Sequence, residues 1–203
     1  MRLHSYVIVR DYGFAPNPFH GVCTLATCKK IIRRMAVVGD WVTATGSAER
    51  HRTGQLVCAM KVSETMSYTD YWNDPRFQLK KPVMNGSRML GYGDNIYSHA
   101  PDGGWVQADS HHSLEGGVPN PKNLNDDTET DKVLIAEDFW YFGSNAPTIP
   151  PQFRGQGQAD ICGGHGHKVN FVDGLVDDFL AWVHTLPKGC QGRPDHWPGP
   201  TLV

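Results

Sequence analysis

The chain has 203 residues, a length typical of one domain, and hydrophobic residues make up 39% of it. Its net charge of −2 argues against a protein that binds nucleic acid by bulk charge, although it leaves room for local basic patches. No apolar run approaches the length of a membrane-spanning helix, and the N-terminal segment lacks a signal-peptide pattern. We therefore expect a cytoplasmic protein with no membrane partner. In that setting its five cysteines are expected to be reduced.

The first segment combines a strand with an unusual loop. An alternating run at residues 5–10 predicts a strand, and the glycine and prolines that follow exclude helix and regular pairing over residues 11–19. Ordering such a loop is costly, and loops of this kind often form the walls of sites. The loop and its end carry aromatic and proton-transferring side chains: Asp11, Tyr12, Phe14, Phe19 and His20.

A returning strand carries Cys23, and a short basic helix over residues 28–35 begins at Cys28. The helical spacing places Ile31, Ile32 and Met35 inward. The basic residues of this helix are expected to face outward and to form a local patch that can contact a nucleic-acid backbone: Lys29, Lys30, Arg33 and Arg34.

The remaining elements are read from alternation, turn residues and helical spacing. Strands are predicted at 41–47, 56–66, 77–83, 88–92 and 133–142, with a helical turn at 68–73 and a hairpin formed by 95–97 and 105–107. Long surface loops are expected at about 109–131 and 143–168. An amphipathic helix over residues 170–186 precedes a Gly/Pro-rich tail, residues 187–203.

Several side chains outside the first loop are candidates for chemistry or binding. The loop at 162–168 could chelate zinc through Cys162, His165 and His167, or approach a phosphate with His165, His167 and Lys168 as donors. A Gly-rich connector with solvated histidines is the alternative. The pair His111 and His112 follows Asp109 and Ser110, either of which could orient an imidazole.

The aromatic strand at 139–142 offers a further surface. Alternation places Tyr141 on one face with Phe139, and one of the two faces could stack a base that has left the helix. An aromatic strand is also the usual content of a core. Thr45 and Ser47, at the end of the strand at 41–47, complete the candidate substrate-binding residues.

The order of elements resembles the PUA-like folds, which include the ASCH, EVE and YTH domains. The segments that carry this resemblance are VGDWV at residues 38–42 and the strand-to-helix passage at residues 60–77. The resemblance implies an α+β fold: one PUA-like domain over residues 1–203, built as a small mixed β-barrel with the short basic helix, the C-terminal amphipathic helix and long loops. Such domains hold a single base in a pocket.

A second resemblance covers residues 4–47, 133–150 and 163–168, which are similar to the family called nucleotide modification associated domain 2. That family is linked to enzymes that modify DNA bases. The resemblance implies conversion of 7-cyano-7-deazaguanine in DNA to its 7-amido form by addition of water. It implies DNA with a modified base as partner, and other proteins of a modification system as further partners. No cofactor is expected.

For that reaction, a thiolate would add to the nitrile carbon and an acid would protonate the nitrogen. We expect Cys23 as the thiol, with Asp11 or His20 as acid/base, in a pocket walled by Tyr12, Phe14 and Phe19. Two alternatives stay open for the thiol. Cys23 could be a buried strand residue, and Cys28 lies at a helix start beside lysines that would stabilise its thiolate. A reader module that binds the modified base without changing it is the alternative function.

Overall fold

The structure is a computed structural model that describes residues 1–164 and 166–198. It confirms the α+β class, and within the described residues it contains eleven strands and five α-helices. The strands are β1 (Leu3–Ile8), β2 (Cys23–Leu25), β3 (Trp41–Gly46), β4 (Leu56–Lys61), β5 (Glu64–Met66), β6 (Tyr97–His99), β7 (Trp105–Gln107), β8 (Val133–Ala136), β9 (Asp138–Tyr141), β10 (His167–Lys168) and β11 (Gly189–Cys190). The α-helices are α1 (Lys30–Met35), α2 (Tyr68–Asn73), α3 (Arg88–Gly91), α4 (Pro121–Thr128) and α5 (Leu175–His184). Short 3₁₀ turns lie at Ala48–Arg50, Pro75–Lys80, Glu115–Gly117, Gly143–Asn145, Pro151–Phe153 and Gly157–Ala159.

Three sheets organise these strands. The large sheet has the order β10-β1-β3-β4-β9-β11, the small sheet has the order β2-β8-β5, and β6 pairs with β7 in a hairpin. In the large sheet β1 runs parallel to β3, and β9 runs parallel to β11. The other pairs in the large sheet are antiparallel.

Two bent strands join the large sheet to the small one. The predicted strand at 56–66 breaks after Lys61 into β4 and β5, and the predicted strand at 133–142 breaks at Glu137 into β8 and β9. Each therefore contributes to both sheets. The sheets do not close into the predicted barrel, because no ladder among the described residues pairs β2 with β1. The prediction of a small mixed β-barrel is therefore wrong, because the described strands form open sheets.

Strand periodicity explains where the buried side chains pack. Alternate residues of the large sheet, such as Tyr6 and Met60, point into the space between the two sheets. The opposite face, which includes Trp140, packs against α5 through Phe179 and other apolar residues of that helix. A third cluster covers the small sheet with α2 and the hairpin. The single-domain organisation predicted for residues 1–203 stays a prediction.

Several predicted elements are wrong. The segments at 77–83 and 88–92 contain the 3₁₀ turn Pro75–Lys80 and α3 rather than strands. The surface loop expected at 109–131 contains α4, and Asp127 within it is buried. The helix expected at 170–186 begins only at Leu175, after Gly174. None of the described helices is both long and apolar enough to cross a membrane.

The expected outward orientation of the basic helix is also wrong for one residue. Arg33 is fully buried, whereas Ile31 and Met35, expected to face inward, are exposed. The guanidinium of Arg33 donates hydrogen bonds to four backbone carbonyls, which replace the water that it loses on burial: those of Cys28, Asp127, Thr130 and Lys132. Arg33 therefore cannot contact DNA in this structure.

Candidate active site

A cavity of about 350 Å³ lies between the loop at 11–19, the entry to α1 and the loop that follows β7. We call it the aromatic cavity. Its lining residues are Ile8, Val9, Arg10, Tyr12, Phe14, Ala15, Cys28, Lys29, His111 and His112. Two of the predicted aromatic wall residues, Tyr12 and Phe14, thus lie in this wall. The ring of His111 lies 4.8 Å from that of Tyr12 and 5.3 Å from that of Phe14.

Cys28 and His112 line this cavity, and the buried Asp127 lies behind His112 and binds its ring. The Cys28 Sγ lies 3.7 Å from His112 Nε2, and His112 Nδ1 lies 2.8 Å from a carboxylate oxygen of Asp127. This is the geometry of a nucleophile, a base and a group that orients the base. Tyr97 donates a further hydrogen bond of 2.8 Å to the same carboxylate oxygen.

The backbone at Cys28 is held in an uncommon conformation. Cys28 has φ of 55° and Lys29 has φ of 39°, and non-glycine residues rarely adopt this left-handed region. The amide of Cys28 donates to the other carboxylate oxygen of Asp127 at 2.6 Å. Arg33 binds the carbonyls of Cys28 at 2.9 Å and Asp127 at 2.6 Å, so one buried guanidinium joins the two segments. Strained residues held by their surroundings are often found at functional sites.

The other two members are placed by local turn and helix-cap interactions. Asp127 lies in the last turn of α4, and the Asn120 side chain caps that helix by accepting from the amides of Lys122 and Asn123. The His112 carbonyl accepts from the amide nitrogens of Gln107 and Asn123, which tie its loop to β7 and α4. Asp127 therefore takes the orienting role that the sequence suggested for Asp109 or Ser110.

The pKa values of the adjacent residues His111 and His112 are shifted in opposite directions. Burial alone would lower the pKa of His112, but its hydrogen bonds to Asp127 and Cys28 outweigh burial and raise the pKa to about 9. Burial, together with the positive charges of His112 and Arg10, lowers the pKa of His111 to about 4. At neutral pH His112 is thus an imidazolium that can donate a proton, and His111 is a neutral wall residue.

The same three side chains offer ligand atoms within 4.8 Å of one another, so they could hold a metal ion. However, His112 Nδ1 and Asp127 already share a 2.8 Å hydrogen bond, the contact through which a carboxylate orients a histidine. With that bond intact, only Cys28 Sγ and His112 Nε2 remain to bind metal. The geometry therefore fits an acid/base role better than a metal site.

The structure does not bring Asp11, His20 and Cys23 to one cavity. Asp11 is buried and accepts hydrogen bonds from Tyr141 Oη at 2.7 Å and from backbone amides, and burial raises its pKa in spite of these bonds. Cys23 lies in the core between the sheets, where its Sγ contacts the Met60 sulfur at 3.9 Å. His20 lines a different cavity.

The predicted substrate-binding residues are divided among several places. Phe19 stacks on Trp197, at 5.5 Å between ring centroids, and lines the same cavity as His20. Tyr141 is buried and bound to Asp11, so its ring is not free to stack on a base. Thr45 is buried and donates to the Tyr6 carbonyl. Ser47 lines a large cavity beside the aromatic one.

The predicted nucleic-acid-binding residues also differ in their surroundings. Lys30 and Arg34 are exposed and pair with Glu129, and Lys30 pairs with Asp126 as well. Lys168 donates to the carbonyls of Gly157 and Asp160. His167 lines the large cavity, and Cys162 beside it is half-buried. His165 lies outside the described residues, so the zinc prediction at Cys162, His165 and His167 stays untested.

The sequence contained parts of this site without joining them. Sequence patterns indicate Cys28 as a thiol candidate and His112 as an imidazole candidate. They do not indicate Asp127, because its segment is predicted to be a surface loop. The dipeptide Asn120-Pro121 is a recognisable helix start, since asparagine is a favoured N-cap and proline a favoured first residue. That signal would have predicted α4 and placed Asp127 on it.

One comparison with known proteins found a match, and it covers nearly the whole chain. The family model described as nucleotide modification associated domain 2 matches residues 1–200. The chain belongs to the nucleotide modification associated domain 2 family. Neither the curated proteins nor the solved structures that were compared with it gave a match. Membership in this family indicates a role in nucleotide or DNA modification.

Proposed function

We propose that this protein is a cysteine-dependent enzyme that hydrates the nitrile of 7-cyano-7-deazaguanine in DNA to the carboxamide. The observation that carries the proposal is the Cys28–His112–Asp127 arrangement at the aromatic cavity. An enzyme that acts on a base must take the base out of the stack, and the aromatic walls provide surfaces for it.

In the first step, the Cys28 thiolate attacks the nitrile carbon, and the π electrons move to the nitrogen. The His112 imidazolium gives its proton to that nitrogen, and the product is a thioimidate bound to Cys28. Asp127 keeps the imidazole in the tautomer that presents Nε2 to the sulfur, since Nδ1 carries the proton shared with the carboxylate.

In the second step, water adds to the thioimidate carbon. His112, now neutral, takes a proton from the water, and the nitrogen takes one from solvent. The carbon then bears sulfur, hydroxyl and amino groups. When the carbon–sulfur bond breaks, the thiolate leaves beside the regenerated imidazolium, the hydroxyl proton passes to solvent, and the carboxamide remains. Loss of ammonia instead would leave a thioester on Cys28, which a second water would hydrolyse to a carboxylic acid, so the product identifies which group leaves.

The test is direct. Purified protein is incubated with DNA that contains 7-cyano-7-deazaguanine, and the digested nucleosides are analysed by mass spectrometry for the gain of one water. We expect wild-type protein to form the amide, and Cys28→Ser to form none.

The matched control is Cys23→Ser, which removes a different buried thiol and is expected to retain activity because Cys23 contacts only the core. Full activity of Cys28→Ser would refute the proposal. Tight binding of the modified DNA by wild-type protein without conversion would instead favour the reader function, which the aromatic walls also suit.

A further inference from the structure

A second cavity adjoins the aromatic one. It has a volume of about 810 Å³, a size typical of ligand sites, and we call it the large cavity. It lies between β1, α1 and the segment before β10, and its lining includes Tyr6, Ser47 and His167. Val9 and Lys29 line both cavities and therefore mark the boundary between them.

No carboxylate among the described residues pairs with the ammonium group of the boundary residue Lys29. Its Nζ lies 4.5 Å from the centroid of the Tyr6 ring, and within residues 1–164 and 166–198 it forms no hydrogen bond or ion pair. Burial lowers its pKa, although the neighbouring Cys28 opposes this effect. A half-buried cation between two cavities is suited to bind an anionic group that passes from one to the other.

His167 lines the large cavity, and the hydrogen-bonded side chains of His4 and Asp40 lie behind it. His4 is buried, with its Nε2 3.4 Å from the Asp40 carboxylate and its Nδ1 2.8 Å from His167 Nε2. Burial lowers the pKa of both histidines, so both are neutral at pH 7. If His4 donates to Asp40, then His167 must donate to His4. In that tautomer His167 Nδ1 carries a lone pair, so His167, which lines the cavity, is a hydrogen-bond acceptor.

Ser47 supplies a second polar group. Its side chain is buried, it lines the large cavity, and its hydroxyl has no hydrogen-bond partner in the described part of the chain. An unpaired buried hydroxyl costs free energy, which a ligand with a complementary group would recover. The large cavity thus has apolar walls and, near its polar groups, an imidazole acceptor and an unpaired hydroxyl, which can bind the polar edge of a nucleobase. Its other polar lining residues include Lys30, Glu49, Thr53, and the paired Arg154 and Asp160.

We propose that the two cavities hold consecutive nucleotides of one DNA strand: the reacting base in the aromatic cavity, its neighbour's base in the large cavity, and the phosphate that links them at Lys29. This inference rests on the proposed function. It makes the substrate a single-stranded or locally opened segment, because two adjacent bases must leave the stack. It also makes His167 and Ser47 the residues that read the neighbouring base.

The test uses Cys28→Ser protein, which binds but does not react, and calorimetric titration with two probes. One probe is the trinucleotide with adenines on both sides of 7-cyano-7-deazaguanine, and the other is the free nucleoside. We expect the trinucleotide to bind roughly tenfold more tightly, because the second base and the phosphate bind in an intramolecular step. Ser47→Leu and His167→Ala should each reduce that gain and leave the nucleoside's affinity unchanged. Lys29→Met, at the boundary of the two cavities, should weaken binding of the trinucleotide more than binding of the nucleoside.

Two control substitutions match these changes. Lys61→Met removes an exposed lysine at the end of β4. Lys61 lies opposite Trp41 in the backbone ladder, whereas Gly46 in the cavity wall is at the other end of β3. Ser144→Leu introduces the same side chain at an exposed serine. Circular dichroism verifies folding, and if Ser47→Leu does not fold, the milder His167→Ala variant, at a half-buried position, decides the matter.

Equal affinity for the two probes would overturn the inference, as would variants that bind the trinucleotide as the parent protein does. If wild-type protein hydrates the nitrile while the variants show no loss of binding, the two-cavity proposal is wrong and the proposed reaction stands. If no protein hydrates the nitrile but the affinity gain is present and is lost in the variants, the reaction is wrong and the two-cavity proposal stands.

Discussion

Replacement of Asp127 by asparagine tests the candidate active site most directly. The Asp127 carboxylate accepts hydrogen bonds from the Cys28 amide, His112 Nδ1 and Tyr97 Oη. Asparagine has nearly the same shape but no charge. Burial around His112 persists in the variant, while the attraction of the Asp127 carboxylate is lost and only that of Cys28 remains. We therefore expect the pKa of His112 to fall from about 9 toward its ordinary value of 6.5.

The size of this effect follows from the shift. A pKa raised from 6.5 to about 9 corresponds to stabilisation of the imidazolium by on the order of 3 kcal/mol. Because the folded pKa of His112 lies above its unfolded value, this stabilisation is fully present below pH 6.5 and is lost as the pH rises through about 9. The difference in unfolding free energy between wild type and Asp127→Asn should therefore shrink between pH 6 and pH 10.

The assay is an NMR titration of protein labelled with carbon-13 in the histidine rings, with the His112 signal assigned by its absence in His112→Gln. Urea denaturation at several pH values gives the unfolding free energies. The matched control is Asp126→Asn, which neutralises an exposed neighbour of Asp127 that pairs with Lys30. If His112 titrates in Asp127→Asn at the same pH as in wild type, the carboxylate does not hold the imidazolium and our reasoning is refuted.

Three further predictions concern stability and pH. Arg33→Ala should lower the unfolding free energy by about 3–5 kcal/mol, because four carbonyls lose their donor, whereas exposed Arg34→Ala should change it little; equal effects in urea denaturation would contradict this. Phe179→Asp should unfold the protein by placing a charge in the core, whereas Asp177→Asn on the exposed face should not, as circular dichroism would show. Turnover at saturating substrate should fall as the pH rises through about 9, because His112 loses the proton that it donates; a rate that is flat to pH 10 excludes that role.

Short-range patterns were sufficient for several elements of the fold. The helical turn predicted at 68–73 coincides with α2, and in the predicted hairpin the second strand coincides with β7 while β6 begins two residues later than predicted. The alternation at residues 5–10 indicated β1, although the strand begins at Leu3 and both of its faces are buried, Tyr6 in one cluster and Leu3 in another. The predicted strand at 77–83 was wrong because Asp74 caps a turn that begins at Pro75, and this local signal outweighs the alternation that follows it.

The candidate site was only partly predictable from sequence. The aromatic loop at 11–19 predicted the wall of a binding site, and two of its aromatic residues, Tyr12 and Phe14, do line a cavity. The predicted catalytic residues, however, lie apart: Asp11 binds Tyr141 in the interior, His20 lines another cavity, and Cys23 on β2 faces the core. Adjacency in sequence does not decide which side of a strand or loop a side chain occupies once the sheets have packed.

The sequence by itself determined the family, the α+β class and the residue types available for thiol and imidazole chemistry. Tertiary structure decided which thiol, imidazole and carboxylate come into contact. Cys28 and His112 are separated by 84 residues, and Cys28 and Asp127 by 99, so only folding can bring them into contact. The burial of Arg33 could not be predicted from sequence either, because a run of basic residues does not show which side chain will donate to four carbonyl oxygens. Those acceptors exist only after α4 and the loop behind it have packed against α1, since long-range contacts, not local preference, create the partners that make a buried charge tolerable.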